Sequence, residues 1–173
     1  MGISRSGRRR ALGAGMILSF ALLPASASLS EPALSVPQRF FLGTTEGVGK
    51  LKIVLHKARA TRTRSIGRID RDGAIILDQT VEQEGEPIQR RQWLLRETAP
   101  GRLTGTITDA KGAVTGDIAG NVLHLTYRMK SGEKAEQWVR VAADGQSAQN
   151  HMVITKFGLS VATLDEVIRR TGK

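Results

Sequence analysis

Hydrophobic and polar residues alternate along most of this chain. Over residues 40–157 the period is two, which is typical of strands with one buried face. Short turn signals containing Gly separate the alternating runs, and Asp-Gly in this position is a strong hairpin signal. These turns are Asp72-Gly73, Glu84-Gly85-Glu86-Pro87, Pro100-Gly101, Lys111-Gly112, Ser131-Gly132 and Asp144-Gly145. We therefore expect about eight or nine antiparallel strands.

A sheet with one apolar face must close or fold over, because open edges invite aggregation. Short turns between consecutive strands favour an all-β fold, an antiparallel up-and-down lipocalin-like barrel, and leave a two-sheet sandwich as the alternative. After Gly158 the spacing of apolar residues becomes helical, and acidic residues precede basic ones as the helix dipole prefers. The pattern predicts a C-terminal helix, outside the barrel or plugging one end, with Val161, Leu164, Val167 and Ile168 on its apolar face.

The N-terminus has the features of an export signal. Four arginines precede an apolar stretch over residues 11–23, and Ala25 and Ala27 fit the small-residue pattern of a cleavage site. A membrane anchor is the alternative, but a spanning helix needs about 20 apolar residues. The sequence predicts a signal peptide over residues 1–27, a linker over 28–39 and a single barrel domain over 40–173. The run Arg8-Arg9-Arg10 also resembles a twin-arginine signal, so two export routes remain open.

The charge of the chain is concentrated in one hairpin. The formal net charge is +10, which falls to +6 without the predicted leader, and residues 50–71 alone carry +7. A periplasmic or secreted protein with this patch would meet anionic lipid surfaces, where each cation contributes about 1 kcal/mol. The hairpin has no aromatic residue for stacking bases, so nucleic acid is not expected. The candidate anionic-surface residues are Lys57, Arg59, Arg62 and Arg64, and a merely solvated hairpin is the alternative.

Polar residues in register with apolar strand faces are the candidate ligand-binding residues. Apolar walls with a few placed polar groups are typical of a ligand pocket, and Arg suits a carboxylate or phosphate head group. An internal ion pair between Arg91 and Asp109 is the alternative, since buried charges are nearly always paired. Trp93 and Trp138 are expected in the core. The candidate residues are Arg91, Trp93, Asp109, Tyr127, Asn150 and Lys156.

Motifs for catalysis, cofactors and metals are not recognisable. The three histidines lie far apart in sequence, and none of the common hydrolase, zinc or dinucleotide motifs occurs. The chain has no cysteine, which excludes a disulfide, a thiolate metal site and a lipidated N-terminal Cys. We predict no metal, no cofactor and no catalytic residue. An enzyme would need an acid–base pair in the barrel, for which Asp109 is the candidate carboxylate.

A series of short motifs resembles a known family over about residues 40–160. In order they are Phe41-Leu42-Gly43, Arg91-x-Trp93, Gly105-x-Ile107-x-Asp109, Gly112-x-Val114-x-Gly116, Ala119-Gly120-Asn121 and Lys156-Phe157-Gly158. Their order and spacing resemble the exported bacterial proteins and lipoproteins known as domain of unknown function thirty-eight thirty-three. The resemblance implies a lipocalin-like fold and no established activity. Many members carry a lipid-anchoring Cys that this chain lacks, and Glu136-Gln137-Trp138 replaces their Asp-Asp-Trp.

Two functions follow as expectations. The first is an exported protein that binds a lipophilic or fatty-acid-like ligand with an anionic head inside the barrel. The second is an envelope-associated protein that uses the basic hairpin on a membrane or partner and holds no internal ligand. An interior cavity of about 300 Å³ or more would favour the first. A core filled by Trp93, Tyr127, Met129 and Met152 would favour the second.

Overall fold

A computed structural model describes residue 2 and residues 34–172, so nearly all of the predicted leader lies outside the described residues. The described chain forms a short helix and a closed antiparallel barrel of ten strands. The elements are α1 (Val36–Phe40), β1 (Gly43–Ile53), β2 (Arg59–Ile69), β3 (Ile75–Gln83), β4 (Gln89–Ala99), β5 (Arg102–Ile107), β6 (Val114–Ala119), β7 (Val122–Arg128), β8 (Lys134–Val141), β9 (Ser147–Lys156) and β10 (Leu159–Gly172).

The topology is up-and-down, as the alternating pattern predicts. Each strand pairs with its neighbours in sequence, and β1 pairs with β10 to close the sheet. Alternate side chains point inward, so β3 sends Ile75, Leu77 and Gln79 into the barrel and its intervening residues outward. The lipocalin-like barrel is confirmed, with ten strands instead of eight or nine, and the two-sheet sandwich is excluded.

The predicted C-terminal helix is wrong, because residues 159–172 form the closing strand β10. Leu164, Glu166 and Ile168 point inward on this strand, and Asp165 and Val167 between them point outward. A bulge near Ser160 shifts the alternation at the start of the strand, and the polar Glu166 interrupts the apolar face further along. Tertiary pairing overrides the helical spacing because β1 would otherwise keep an open edge.

The helix α1 covers one end of the barrel. A capping box on Ser35 starts it, and Phe40 at its end is only 2 % exposed within the core cluster. Arg170 at the end of β10 donates to the carbonyl oxygen of Phe40 at 3.0 Å. A Cβ at Gly67 would lie 1.8 Å from the Phe41 carbonyl oxygen, so β2 needs glycine where the chain passes.

Apolar side chains fill the half of the barrel next to α1. The cluster includes Leu77, Leu103, Leu123, Val139 and Ile168, all nearly or fully inaccessible to water. A void of about 60 Å³ lies within this half. This half is therefore a packed core that supports the opposite half of the interior.

Candidate functional site

A cavity of about 200 Å³ occupies the other half of the barrel. Most of its wall area is apolar. The lining includes the side chains that would fill the core if the barrel held no ligand. Trp93 and Tyr127 belong to the buried core cluster, with Met129 and Met152 packed against it, and all four also line the cavity. The volume is below the value of about 300 Å³ that would favour an internal ligand, so this expectation from the sequence is not met. The cavity thus suits a small ligand or the end of a longer chain.

A layer of polar residues separates the cavity from the packed core. Gln79, Gln137, Asn150 and Glu166 line both the cavity and the 60 Å³ void next to α1, so they form a boundary between them. We call these four residues the polar floor. Asn150 and Glu166 are 5 % and 6 % exposed, so this boundary lies at the buried end of the cavity.

Glu166 is the most buried carboxylate of the described chain. Thr63 Oγ1 donates to Glu166 Oε1 at 2.6 Å, and Asn150 Nδ2 donates to Glu166 Oε2 at 3.0 Å. The carboxylate lies against the backbone of β1, where a Cβ on Gly47 would fall 2.1 Å from Oε1. Glycine at this position therefore makes room for the carboxylate.

Arg91 and Asp109 form a loose ion pair beside the cavity. Arg91 Nε lies 3.5 Å from Asp109 Oδ2, and their side chains are 18 % and 33 % exposed. The structure thus contains the internal pair that the sequence left as an alternative. Arg91 Nε and Asp109 Oδ1 are nevertheless buried without a hydrogen-bond partner among the described residues. The pair retains capacity for a further polar contact.

Trp93 and Tyr127 form the aromatic wall of the cavity. Their rings meet edge to face with centroids 5.5 Å apart, and Trp93 Nε1 donates to Gln79 Oε1 at 3.4 Å. The Tyr127 hydroxyl contacts Met152 Sδ at 3.6 Å. Burial raises the pKa of Tyr127 to about 12, with a smaller opposing contribution from Arg91. The phenol is therefore neutral and fixed in the wall at neutral pH.

Lys156 lies apart from the other candidate ligand-binding residues. Its Nζ donates to Glu133 Oε1 at 2.8 Å, and this bond, with one from Ser131, lowers the pKa of Glu133 to about 2. Ile154 lines the cavity two residues earlier, whereas Lys156 is not among the lining residues. The structure therefore brings Arg91, Trp93, Tyr127 and Asn150 to one cavity, Asp109 to its edge and Lys156 to a separate ion pair.

Sequence reasoning missed Glu166 as a site residue because it placed this residue on a helix. The alternation Leu164-Glu166-Ile168, taken as a strand facing the interior, is the signal that could have found it. Thr61 and Thr63 were missed for another reason. They look like ordinary polar residues of the basic hairpin, yet they face inward from β2.

The candidate anionic-surface residues are on or before β2. Arg59 pairs with Glu86, and Arg64 Nε lies 4.0 Å from Glu46 Oε1. Lys57 and Arg62 have no acidic partner within 4 Å in the described part of the chain, as also holds for Lys50 and Lys52 on the outer face of β1. The cationic face, defined as Lys50, Lys52, Lys57 and Arg62, is therefore the part of this hairpin that is free to meet an anion.

The expectation that Trp138 lies in the core is wrong. On β8 the inward positions are Ala135, Gln137 and Val139, so Trp138 points outward. Its indole stacks between two imidazoles, 4.9 Å from His124 and 6.1 Å from His151 between ring centroids. This stack of Trp138 with His124 and His151 partly buries the indole on the outer face of the barrel.

Residues 34–172 contain neither a metal-ligand cluster nor a helix that could cross a membrane. Three or more potential ligands for a metal ion do not cluster anywhere in this range. No helix in the same range is long and apolar enough to cross a membrane.

Solved structures confirm the architecture. An S-type phycobiliprotein lyase, CPES from Guillardia theta, matches with a TM-score of 0.64 and 9% identity, over 81% of this chain and 94% of that one. Rv2717c from M. tuberculosis matches with a TM-score of 0.59 and 16% identity, over 76% and 93% of the two chains. At these identities the likeness shows the shared lipocalin-like fold.

Sequence comparison places the chain in a family. A search of curated proteins finds no match to this chain. A family model described as "Protein of unknown function (DUF3833)" matches residues 16–170, which is most of the chain. The motifs from Phe41 to Gly158 that resemble this family lie within the matched range. The chain therefore belongs to the DUF3833 family of proteins of unknown function.

Proposed function

We propose that the barrel binds a small lipophilic ligand whose anionic head group contacts Arg91. The observation that carries this proposal is a set of buried polar atoms without a partner around one mostly apolar cavity. Thr61 Oγ1, Arg91 Nε and Asn150 Oδ1 belong to lining residues, and Asp109 Oδ1 belongs to the partner of Arg91. Native proteins satisfy nearly all buried polar atoms, so such a set supports the binding of a complementary polar group in the cavity.

Arg91 is the best-placed group for the anionic head. It is the cation among the cavity-lining residues, and its guanidinium offers several donors beyond the one that faces Asp109. The apolar walls of Leu51, Val81, Ile154 and Leu164 would contact the hydrocarbon part. Burial of apolar surface contributes roughly 25 cal/mol per Å² before the costs of association.

Calorimetric titration with octanoate tests the proposal. We expect binding to the wild-type chain and a loss of about tenfold or more in Arg91→Met, since a charge-assisted hydrogen bond contributes about 1.5–3 kcal/mol. Arg91→Met alone leaves the Asp109 carboxylate without its cation, so the double variant Arg91→Met/Asp109→Asn, which removes both charges of the ion pair, is measured as well. Arg90→Met is the matched control because Arg90 is an exposed neighbour on the outer face of β4. Equal affinity in the Arg91 and Arg90 variants would contradict the assignment.

Export to the periplasm is part of the same proposal. The leader features at residues 1–27 support it, and cleavage after Ala27 would give a mature chain that starts at Ser28. Intact mass or N-terminal sequencing of the protein from a periplasmic fraction checks this. A chain that still carries residues before Ser28 would show that the cleavage site is wrong.

A second candidate function uses the cationic face on an anionic membrane surface. Four free cations on β1, on β2 and in the connection between them favour it, each contributing about 1 kcal/mol near such a surface. Co-sedimentation with vesicles rich in phosphatidylglycerol should fall about 25-fold or more in Lys50→Glu/Lys52→Glu. Lys111→Glu, in the turn between β5 and β6, is the control. Equal binding to zwitterionic vesicles would exclude this function.

A further inference from the structure

We infer that the polar floor recognises a hydrogen-bond donor, an O–H or N–H group, on the buried end of the ligand. This inference rests on the proposed function, because it concerns the same cavity. It adds a second polar contact at the end away from Arg91. The ligand class becomes a short acyl chain with a carboxylate at one end and a hydroxyl or amino group at the other.

The free hydrogen-bonding capacity of the floor is that of an acceptor. A carboxylate only accepts, so the amide nitrogen of Asn150 must face Glu166 and its Oδ1 must point away. That oxygen is buried and has no partner in the described chain. Each Glu166 oxygen receives one hydrogen bond and has a second lone pair. The floor therefore matches a ligand group that donates.

The negative charge of Glu166 also favours a ligand group that donates a hydrogen bond. Glu166 is 6 % exposed, and no Lys, Arg or His nitrogen of the described chain lies within 4 Å of it. A buried carboxylate without a cation is unfavourable unless hydrogen bonds or a counter-charge compensate it. A second carboxylate on the ligand would be repelled here, whereas an ammonium group would be attracted.

The backbone around Glu166 is shaped to hold the carboxylate in place. A Cβ at Gly47 would lie 2.1 Å from Glu166 Oε1, whereas a Cβ at Gly49 would first meet the backbone oxygen of Asp165 at 2.5 Å. Gly47 thus makes room for the acidic side chain, and Gly49 makes room for the backbone of β10. A cavity that held only hydrocarbon would be complemented by an apolar residue at this position.

The two polar ends of the cavity have opposite chemistry. Arg91 offers donors, and its side chain is 18 % exposed, so it lies at the end that solvent reaches. Glu166 and Asn150 offer acceptors and lie at the buried end. A ligand with a carboxylate at one end and a donor at the other satisfies both ends in a single orientation.

Four matched ligands on the wild-type chain test the inference by calorimetry: octanoate, 8-hydroxyoctanoate, 8-aminooctanoate and suberate. We expect the hydroxy or amino acid to bind about tenfold more tightly than octanoate, and suberate to bind more weakly. A greater gain for the amino acid identifies an ammonium group as the recognised donor, and a greater gain for the hydroxy acid identifies a hydroxyl. Glu166→Gln should remove the amino preference, while Asp165→Asn, on the outer face of the same strand, should retain it.

The outcomes separate this inference from the proposed function. Octanoate that binds as tightly as both substituted acids would overturn the inference and leave the proposed function in place. Failure of all four ligands to bind would overturn both. The comparison of ligands needs only the wild-type chain, so a variant that fails to fold does not remove the test.

Discussion

Gly47→Ala tests the close approach of β1 to the buried carboxylate. The backbone of Gly47 is outside the positive-φ range, so alanine is opposed there only by contacts. The new Cβ would lie 2.1 Å from Glu166 Oε1 and 2.4 Å from Thr63 Oγ1, which forces Glu166 to move. Loss of the two hydrogen bonds to the carboxylate costs about 3–6 kcal/mol, at about 1.5–3 kcal/mol each. Alanine also lowers the conformational entropy of the unfolded chain, which offsets about 0.4–1 kcal/mol of this cost. We expect a net destabilisation of about 2–6 kcal/mol.

Urea denaturation measures this change as a lower midpoint at an unchanged slope. Gly172→Ala is the control, because its Cβ would meet only Thr44 atoms at 3.6 Å, an ordinary contact. A double-mutant cycle of Gly47→Ala with Glu166→Ala should show a coupling of about 1 kcal/mol or more. A Gly47→Ala effect within about 0.5 kcal/mol of the control, or additivity in the cycle, would refute the reasoning.

Three further outcomes are expected. Lys156→Gln should raise the pKa of Glu133 from about 2 towards the ordinary value of 4.5, as read by NMR. Because the folded-state pKa is lowered, the stability that this ion pair contributes in the wild type is present above pH 4.5 and is lost as the pH falls towards 2. Tyr127 is the single tyrosine, so ultraviolet titration should give a pKa of about 12 when folded. Because this folded pKa is raised, about 3 kcal/mol of stability should be lost between pH 10 and 12. Phe40→Ala should cost about 3–5 kcal/mol in urea denaturation, whereas exposed Phe157→Ala should change stability by less than about 0.5 kcal/mol.

Local patterns were sufficient to predict the barrel and part of its interior. Period-two alternation predicts that Arg91 and Trp93 share a face, and the structure places both on the cavity. Turn residues predict most of the hairpins, since a turn depends mainly on its own sequence. The family motifs agree with the family model that matches the chain.

The rest depends on contacts between distant strands. Glu166 meets Thr63 only when the barrel closes, because the two residues lie on β10 and β2, 103 positions apart in sequence. Asn150 is the cross-strand neighbour of Glu166 in the β9–β10 hairpin, and this contact was missed because the sequence pattern predicted a helix after Gly158. The ladder of Trp138 and two histidines likewise requires a strand register that local spacing does not fix. Lys156 shares a face with cavity residues, yet its position near the end of β9 places it beside Glu133.

Closure of the sheet by β10 has a consequence for how the chain folds. The pairing of β1 with β10 joins the two ends of the barrel sequence, so it is the contact of highest loop-closure cost. Until the last strand is synthesised, β1 and β9 each present an unpaired edge that can join another chain. Under the proposed export, transport of an unfolded chain would leave strand pairing and barrel closure to the far side of the membrane. Transport after folding would instead move a barrel without edges, so the route of the proposed export would decide in which compartment the unpaired edges are exposed.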